Sequence, residues 1–207
     1  MPSSTTKENF LVIHVNDEKR KKQKDFTVSF TILLKYMKYF EQALKSMSEG
    51  DDFDISVHCD IKIFEWLMLY IEFEEKKINP GVWFFEMGSD RGKEPETKWV
   101  KPDIWVDDAI SILISAEYLK IPKLVDECLK FFVEHINQIL LLPLDLSCIS
   151  SKLAKKLASM MPLEKLESVN DKWDWILNRI FMAKLEWLME EESLNWCFYC
   201  HHLFTDS

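Results

Sequence analysis

The chain has 207 residues, of which 47% are apolar and 13% aromatic, enough to form one or two globular domains with a real core. A formal net charge of −9 disfavours non-specific nucleic-acid binding, and the presence of only four glycines argues against glycine-rich phosphate loops. No stretch approaches about 18 consecutive apolar residues, so no membrane span is predicted. Residues 1–10 lack an apolar secretory segment, and the five cysteines are odd in number and mostly scattered. We therefore expect an intracellular protein with free thiols.

The first part of the chain predicts a β-hairpin followed by a helix. Short β-branched runs at 10–15 and 25–28 are typical of strands. The basic cluster KRKKQK at 19–24 lies between them and is interpreted as a solvated hairpin tip, with a nuclear-import signal as the alternative. A helix is predicted over 31–47. A third strand is predicted over 54–59, where polar and apolar residues alternate.

The middle of the chain predicts three helices separated by an insertion. Asp60 is placed to cap a helix over 62–73. Residues 74–102 carry three prolines and three glycines and are interpreted as a long inserted loop. Its aromatic triplet at 83–85 is expected to pack onto the domain, with an exposed ligand site as the alternative. Residues 107–136 then predict two helices joined at Pro122, which ends the first helix and suits the first turn of the second.

The last part of the chain predicts a helical extension. Apolar periodicity indicates helices over 147–160 and 172–190. We therefore expect two regions, 1–136 and 137–207. Across both, the predicted core includes Phe64, Leu113, Leu124 and Leu129.

The order strand–hairpin–helix–strand–helix–loop–two helices resembles a BTB (POZ) domain. The pattern AEYL, then L-x-x-x-C-L-x-F-F, at 116–132 is similar to the helical hairpin that closes such domains. The family's phenylalanine-to-phenylalanine pattern around its first helix matches from Phe26 to Phe40, with Ser29 in place of the usual histidine. The resemblance implies an α+β BTB/POZ fold, with a small mostly antiparallel sheet flanked by helices and a helical C-terminal extension.

Within BTB proteins, the chain resembles the family of SANT-and-BTB-domain regulators of class switch recombination. The strings that carry this resemblance are VIHVND at 12–17, LLKYMKYF at 33–40, DISVHCDIKIFEWL at 54–67 and ISILISAEYLK at 110–120. That family also continues beyond its BTB domain with a helical segment and a C-x-x-C pair, as this chain does. No SANT domain is recognisable, so we expect a fragment or a shorter homologue.

The resemblance implies a non-enzymatic module that dimerises and scaffolds other proteins in a regulator of transcription or DNA recombination, with the nucleus as the expected location and the cytoplasm as the alternative. We expect a homodimer through the 31–44 helix, with Leu34, Tyr36 and Met37 in the contact. Corepressor binding of the repressor type normally uses an arginine at the position that Phe30 occupies here. The rival function is a cullin-3 substrate adaptor, since Met47 and Glu49 fit the hydrophobic-x-Glu triplet of such adaptors. The triplet is equally explained as a helix end followed by a turn.

No G-x-S-x-G, P-loop, H-E-x-x-H or glycine-rich fingerprint occurs, so the chain is not expected to be an enzyme or to bind a small-molecule substrate. Nor is direct contact with nucleic acid expected from this segment.

The C-terminal tail contains the one group of residues in the sequence that is typical of a metal site. Cys197, Cys200 and His201 supply two thiolates and an imidazole, whereas a tetrahedral zinc site needs a fourth ligand. The alternative is a pair of free thiols. We expect no other cofactor, zinc binding in longer family members, and weak or no zinc binding by this chain.

Overall fold

The structure, a computed structural model, describes residues 10–45, 54–80, 85–86, 100–174, 176–190 and 194–205. The chain divides into two compact units, Met1–Val125 and Asp126–Ser207, each described here by itself. The division falls inside a helix, before the boundary predicted after residue 136.

A four-stranded sheet forms the centre of the first unit. Its strands are β1 (Phe10–Asp17), β2 (Lys22–Ser29), β3 (Asp54–His58) and β4 (Phe85–Glu86), in the order β3-β1-β2-β4. β1 pairs antiparallel with β2 and parallel with β3, while β4 pairs antiparallel with β2. Alternate residues of β1, beginning at Leu11, are buried, because side chains on a strand point to opposite faces.

The helices that accompany this sheet are α1 (Phe30–Tyr36), α2 (Lys38–Lys45), α3 (Ile61–Ile78), α4 (Ala109–Tyr118) and α5 (Pro122–Ile139), of which α5 crosses the division between the units. The α+β fold class is therefore confirmed. The four side chains predicted to be buried, Phe64, Leu113, Leu124 and Leu129, are at most 1% exposed. Asp60 caps α3 as predicted, since its carboxylate accepts a hydrogen bond of 2.8 Å from the backbone N–H of Lys62.

The predicted helix over 31–47 is interrupted at Met37, which leaves helical geometry with φ −111° and ψ 85°. In an unbroken helix the Tyr39 N–H would bond to the carbonyl of Lys35. Here the Tyr39 N–H donates to the Leu119 carbonyl at the end of α4, at 3.3 Å. A tertiary hydrogen bond thus replaces a helical one, and α1 and α2 are separate helices.

α3 continues five residues beyond its predicted end at Phe73, so the inserted segment begins after the helix and not at Glu74. The charged run Glu74–Lys77 looks like loop in the sequence, but its carboxylates are paired in the structure. Lys77 Nζ donates to Glu74 at 2.7 Å and Lys35 Nζ donates to Glu75 at 2.6 Å, while Lys76 Nζ donates at 2.8 Å to Glu72, one turn before the run.

The second unit contains a 3-10 turn (Leu146–Cys148), α6 (Ser151–Met160), α7 (Leu163–Glu167), α8 (Leu177–Glu190), β5 (Leu194–Trp196) and β6 (Leu203–Thr205). α6 packs against α8. Both long helices begin later than predicted, and side-chain oxygen atoms accept hydrogen bonds from N–H groups at their starts. The Ser150 hydroxyl accepts from the Leu153 N–H, and the Asp171 carboxylate accepts from the N–H groups of Ile176 and Leu177. α7 and the β5–β6 hairpin were not predicted.

Candidate interaction surfaces

α1 and the residue that follows it, Met37, include the three residues that were predicted to contact a second copy, and these residues differ in exposure. Leu34 and Tyr36 are half-buried, but Met37 is 0% exposed. A side chain that is wholly enclosed by its own chain cannot reach a partner without opening the core. Met37 is therefore a core residue, which corrects its place in the predicted interface. Leu34 and Tyr36 remain candidates.

Tyr36 belongs to a polar cluster that sequence analysis missed. Glu75 on α3 is only 4% exposed. Its Oε2 atom accepts hydrogen bonds from Lys35 Nζ at 2.6 Å and from the Tyr36 hydroxyl at 2.9 Å, while its Oε1 atom accepts one from Asn79 Nδ2 at 2.6 Å. We call Lys35, Tyr36, Glu75 and Asn79 the Glu75 cluster. It ties α1 to the C-terminal end of α3.

Opposing effects set the pKa values in the Glu75 cluster. Burial by itself raises the pKa of Glu75, but the donors Lys35, Asn79 and Tyr36 outweigh it and hold this pKa below its ordinary value. The pKa of Tyr36 is raised, first by burial and then by its hydrogen bond to the Glu75 carboxylate. Both groups therefore keep their neutral-pH forms, an ionised Glu75 and a protonated Tyr36.

Glu74 makes a second buried carboxylate contact on the same helix. It accepts from Lys77 on its own helix at 2.7 Å and from Lys123 in the first turn of α5. Burial raises the pKa of Glu74, and the two lysines more than compensate, so that the pKa is lowered. Glu74 and Glu75 together join α3 to two other helices. The run of four charged residues in the sequence did not indicate these contacts, because the distant partners Lys35, Tyr36 and Lys123 follow no recognisable pattern with it.

Two tyrosines form an exposed aromatic pair beside α2. The rings of Tyr39 and Tyr118 lie 4.8 Å apart between centroids, and their hydroxyl groups are 3.0 Å apart. Tyr118 is 55% exposed. Tyrosine is enriched in protein interfaces because it combines a large apolar ring with a polar tip. The pair is therefore a further candidate contact, which sequence analysis did not single out.

The inserted segment rejoins the domain against α3. Trp66 Nε1 donates to the Asp103 carbonyl at 3.0 Å, and its ring stacks on Tyr70 with centroids 5.7 Å apart. Within the insertion, β4 brings the backbone of Phe85 opposite Val28. Residues 83 and 84 and the Phe85 side chain lie outside the described part of the chain, so the packing of the aromatic triplet stays a prediction.

The remaining residues predicted to bind partners are placed as follows. Met47 and Glu49 lie outside the described residues. Phe30 is the first residue of α1 and is half-buried. The basic cluster occupies the tip and the start of the second strand of the β1–β2 hairpin. There Arg20 donates to Asp60 at 2.9 Å, whereas Lys19, Lys21 and Lys22 are exposed. The predicted hairpin tip is confirmed.

Two histidines lie toward the open face of the sheet, each beside a carboxylate. His14 Nδ1 is 2.6 Å from Asp25 Oδ1, its neighbour across β1 and β2, and His58 Nδ1 is 3.0 Å from Glu18 Oε1. His58 and Glu18 are both exposed. Both are surface pairs, and the His14–Asp25 pair joins directly opposite residues of β1 and β2, which indicates cross-strand stabilisation.

The tail forms a hairpin whose turn holds both predicted cysteine ligands. The backbone N–H groups of Cys200 and Tyr199 and the Cys200 thiol donate to the Cys197 sulfur, and they lower the pKa of Cys197 against a smaller effect of burial. Among the described residues, however, no set of three histidine, cysteine, aspartate or glutamate side chains is placed to hold a metal ion. The structure thus brings Cys197 and Cys200 together but does not add His201 to them as a third ligand.

Within the described chain, no helix combines the length and apolar character that crossing a bilayer requires.

Comparison with protein families identifies a family that the chain matches. Residues 11–129 match the family model described as "SANT and BTB domain regulator of CSR, BTB domain". The matched range begins in β1 and ends within α5, so it covers the sheet and the helices α1 to α4 that carry the surfaces above. BTB domains are protein-interaction domains and are not typically enzymes. The chain therefore belongs to the family of SANT and BTB domain regulators of CSR, with its BTB domain at residues 11–129.

Proposed function

We propose that this chain is a homodimerising interaction module that scaffolds other proteins within a regulator of transcription or DNA recombination. The match of residues 11–129 to the BTB domain of a SANT and BTB regulator carries the proposal. Corepressor-type proteins are the expected class of partner. Because Phe30 stands where repressor-type domains have an arginine, such a partner would need a contact other than an arginine-centred one.

Dimerisation is proposed through α1. Its buried stripe is formed by Ile32 and Leu33, whereas Leu34 lies off this stripe and is only half-buried. An isologous two-fold contact brings the same residue of both copies into one patch, so a change at one position acts twice. A half-exposed leucine near the middle of a helix is suited to such a patch.

The first test replaces Leu34 by Glu. Two carboxylates would then face an apolar contact, and an unpaired charge there is strongly disfavoured. We expect light scattering to show a dimer for the wild-type protein at micromolar concentration and a folded monomer for Leu34→Glu. The matched control is Leu141→Glu, at an 82%-exposed leucine of the second unit, which should remain dimeric. A wild-type monomer, or a dimeric Leu34→Glu variant, would contradict dimerisation through α1.

Nuclear location is proposed from the family. The exposed lysines of the basic hairpin tip provide a surface that an import receptor would bind, and the net charge of −9 supports protein partners over direct contact with nucleic acid.

A cullin-3 substrate adaptor is the second candidate, favoured by the triplet Met47-Ser48-Glu49 after α2 and by the helices that follow the BTB domain. In this case, Glu49→Ala should reduce capture of purified cullin-3 by at least about tenfold, which corresponds to about 1.4 kcal/mol. Glu164→Ala, at an exposed glutamate in α7, is the control and should leave capture unchanged. Failure of the wild-type protein to capture cullin-3 would reject the adaptor function and leave the scaffold proposal standing.

A further inference from the structure

α8 has apolar residues on two of its faces, and burial inside the protein involves one of them. Ile180 and Ala183 are buried, and α6 packs against this helix. A second set of apolar residues lies at helical spacing on a more exposed side of α8, and we call it the second face of α8: Phe181, Met182, Leu185 and Met189. Leu185 is half-buried, and the other three side chains are between 48% and 66% exposed.

Lys184 borders the second face and is buried without a counter-ion. It follows Phe181 by three residues, which makes the two neighbours on the helix surface. Lys184 is only 8% exposed, and its Nζ atom lies 4.4 Å from the centroid of the Trp187 ring. No carboxylate or other acceptor in the described part of the chain bonds to it, and burial lowers its pKa unopposed. This is unusual, because a buried charge normally has an oppositely charged partner.

The Lys184 nitrogen is still open to a partner. It is not among the wholly enclosed side-chain polar atoms that lack a hydrogen bond in the described residues. Because it has no hydrogen bond there, it must retain some contact with solvent. A lysine commonly buries its aliphatic stem while its charged end reaches the surface. An acceptor that approaches along the second face of α8 can therefore reach this nitrogen.

We propose that the second face of α8 and Lys184 bind a partner protein, through a helical segment of that partner that carries apolar side chains and one carboxylate. The apolar side chains cover the second face, since exposed apolar patches mark interaction sites, and the carboxylate pairs with Lys184. A carboxylate neutralises the single charge of Lys184, whereas a phosphate dianion would leave a net negative charge in an apolar contact. The surface lies outside the matched range 11–129, so it does not depend on dimerisation through α1.

The charges on α8 favour a different protein over a second copy of this chain. An antiparallel two-fold pair of α8 helices sets the same flank of both copies side by side, so two Lys184 amines would meet. Like charges in an apolar contact are disfavoured. Glu186, an exposed carboxylate of the same helix, is already joined to Lys155 of α6 at 3.0 Å. The carboxylate that Lys184 lacks is therefore expected from a partner.

The test selects binders of the full-length protein from a display library of helical peptides, and the enriched peptides are synthesised for fluorescence anisotropy. We expect the enriched peptides to share apolar residues at helical spacing and one aspartate or glutamate. Replacing that acidic residue by its amide should weaken binding to the wild-type protein by at least about tenfold. The same replacement should change binding to Lys184→Met by less than about twofold, because the paired charge is already gone.

Matched variants separate this surface from the rest of the second unit. Phe181→Ser should weaken peptide binding by at least about tenfold, since exposed aromatic side chains at a contact carry much of its binding energy. Lys152→Met, at an exposed lysine of α6, and Leu141→Ser, at an exposed leucine, should leave the affinity unchanged. Far-ultraviolet circular dichroism verifies that each variant is folded.

Three results would overturn the proposal. The library yields no peptide above background, or the enriched peptides need no acidic residue, or they bind Lys184→Met as tightly as wild type. In the last case Lys184 only buries its stem and has no role in binding. Light scattering covers the remaining occupant: if the wild-type protein self-associates and Phe181→Ser does not, a second copy occupies the second face, and the proposed partner is again rejected.

Discussion

Replacing Met37 with Glu is expected to unfold the BTB domain and not to release a folded monomer. The Met37 side chain is 0% exposed, and its backbone closes the junction between α1 and α2. The Met37 N–H donates to the Leu33 carbonyl at 2.8 Å, and its own carbonyl accepts from Phe40 at 3.1 Å. A carboxylate at this position would be an unpaired charge in an apolar core. That is one of the few single changes that cost about 4 kcal/mol or more.

Urea unfolding followed by far-ultraviolet circular dichroism measures this loss. Met37→Leu, which approximately conserves volume, serves as the control and should cost less than about 1.5 kcal/mol. The contrast with Leu34→Glu, three residues earlier, is informative because Leu34 is only half-buried and should tolerate the same new charge in a folded chain. A Met37→Glu protein with wild-type stability would show that this residue does not lie in the core.

Met37 also shows which part of the fold could be read from periodicity. Leu33, Met37 and Phe40 are spaced i, i+4 and i+7, which puts them on one helical face, and all three are 0% exposed. The sequence therefore contained the signal for a buried Met37. The sequence contained no such signal for the break between α1 and α2. This break is supported by a hydrogen bond from the Tyr39 N–H to the carbonyl of Leu119, a residue that is distant in sequence.

Strand alternation and helical periodicity are local properties, and the elements that depend on them were predicted. The three longer strands, the cap at Asp60 and the helix start at Pro122 belong to this group. β4 was missed because two residues are too few to show a period. The β5–β6 hairpin was missed because its turn has no glycine and instead places His201 at positive φ.

The candidate interaction residues were harder to predict than the fold, because burial of polar groups depends on partners that are distant in sequence. Glu75 is charged and follows other charged residues, which is typical of a loop or a solvated face. It is nevertheless buried, since Lys35 and Tyr36 reach it from a helix about 40 residues earlier. Neither partner has a pattern that would identify this contact without the folded structure.

Acid sensitivity is the expected consequence of the Glu75 cluster. The pKa of Glu75 is lowered in the folded chain from an ordinary value of 4.5. A carboxyl group with a depressed folded-state pKa stabilises the fold fully above its unfolded-state pKa, and that contribution is lost as pH falls through the folded-state pKa. The protein should therefore lose stability as pH falls below 4.5, and the lowered pKa of Glu74 acts in the same direction.

Replacing Glu75 with Gln isolates this contribution. At neutral pH we expect the variant to lose about 1–3 kcal/mol of unfolding free energy, the usual range for hydrogen bonds to a charged group. The loss stays in this range because Lys35 is 43% exposed and is hydrated by water once its partner is neutral. Well below pH 4.5 the wild-type carboxyl is itself protonated, so the two proteins should approach equal stability.

The decisive measurement is the difference in unfolding free energy between wild type and Glu75→Gln, taken from urea curves across acid and neutral pH. Glu167→Gln, at an exposed glutamate, is the control and should show almost no difference at any pH. Lys35→Met removes one donor while retaining an aliphatic side chain, so it should raise the pKa of Glu75 and move the acid transition to higher pH. If the difference for Glu75→Gln were constant with pH, ionisation of Glu75 would not contribute to stability. The cluster would then act only as neutral packing between α1 and α3.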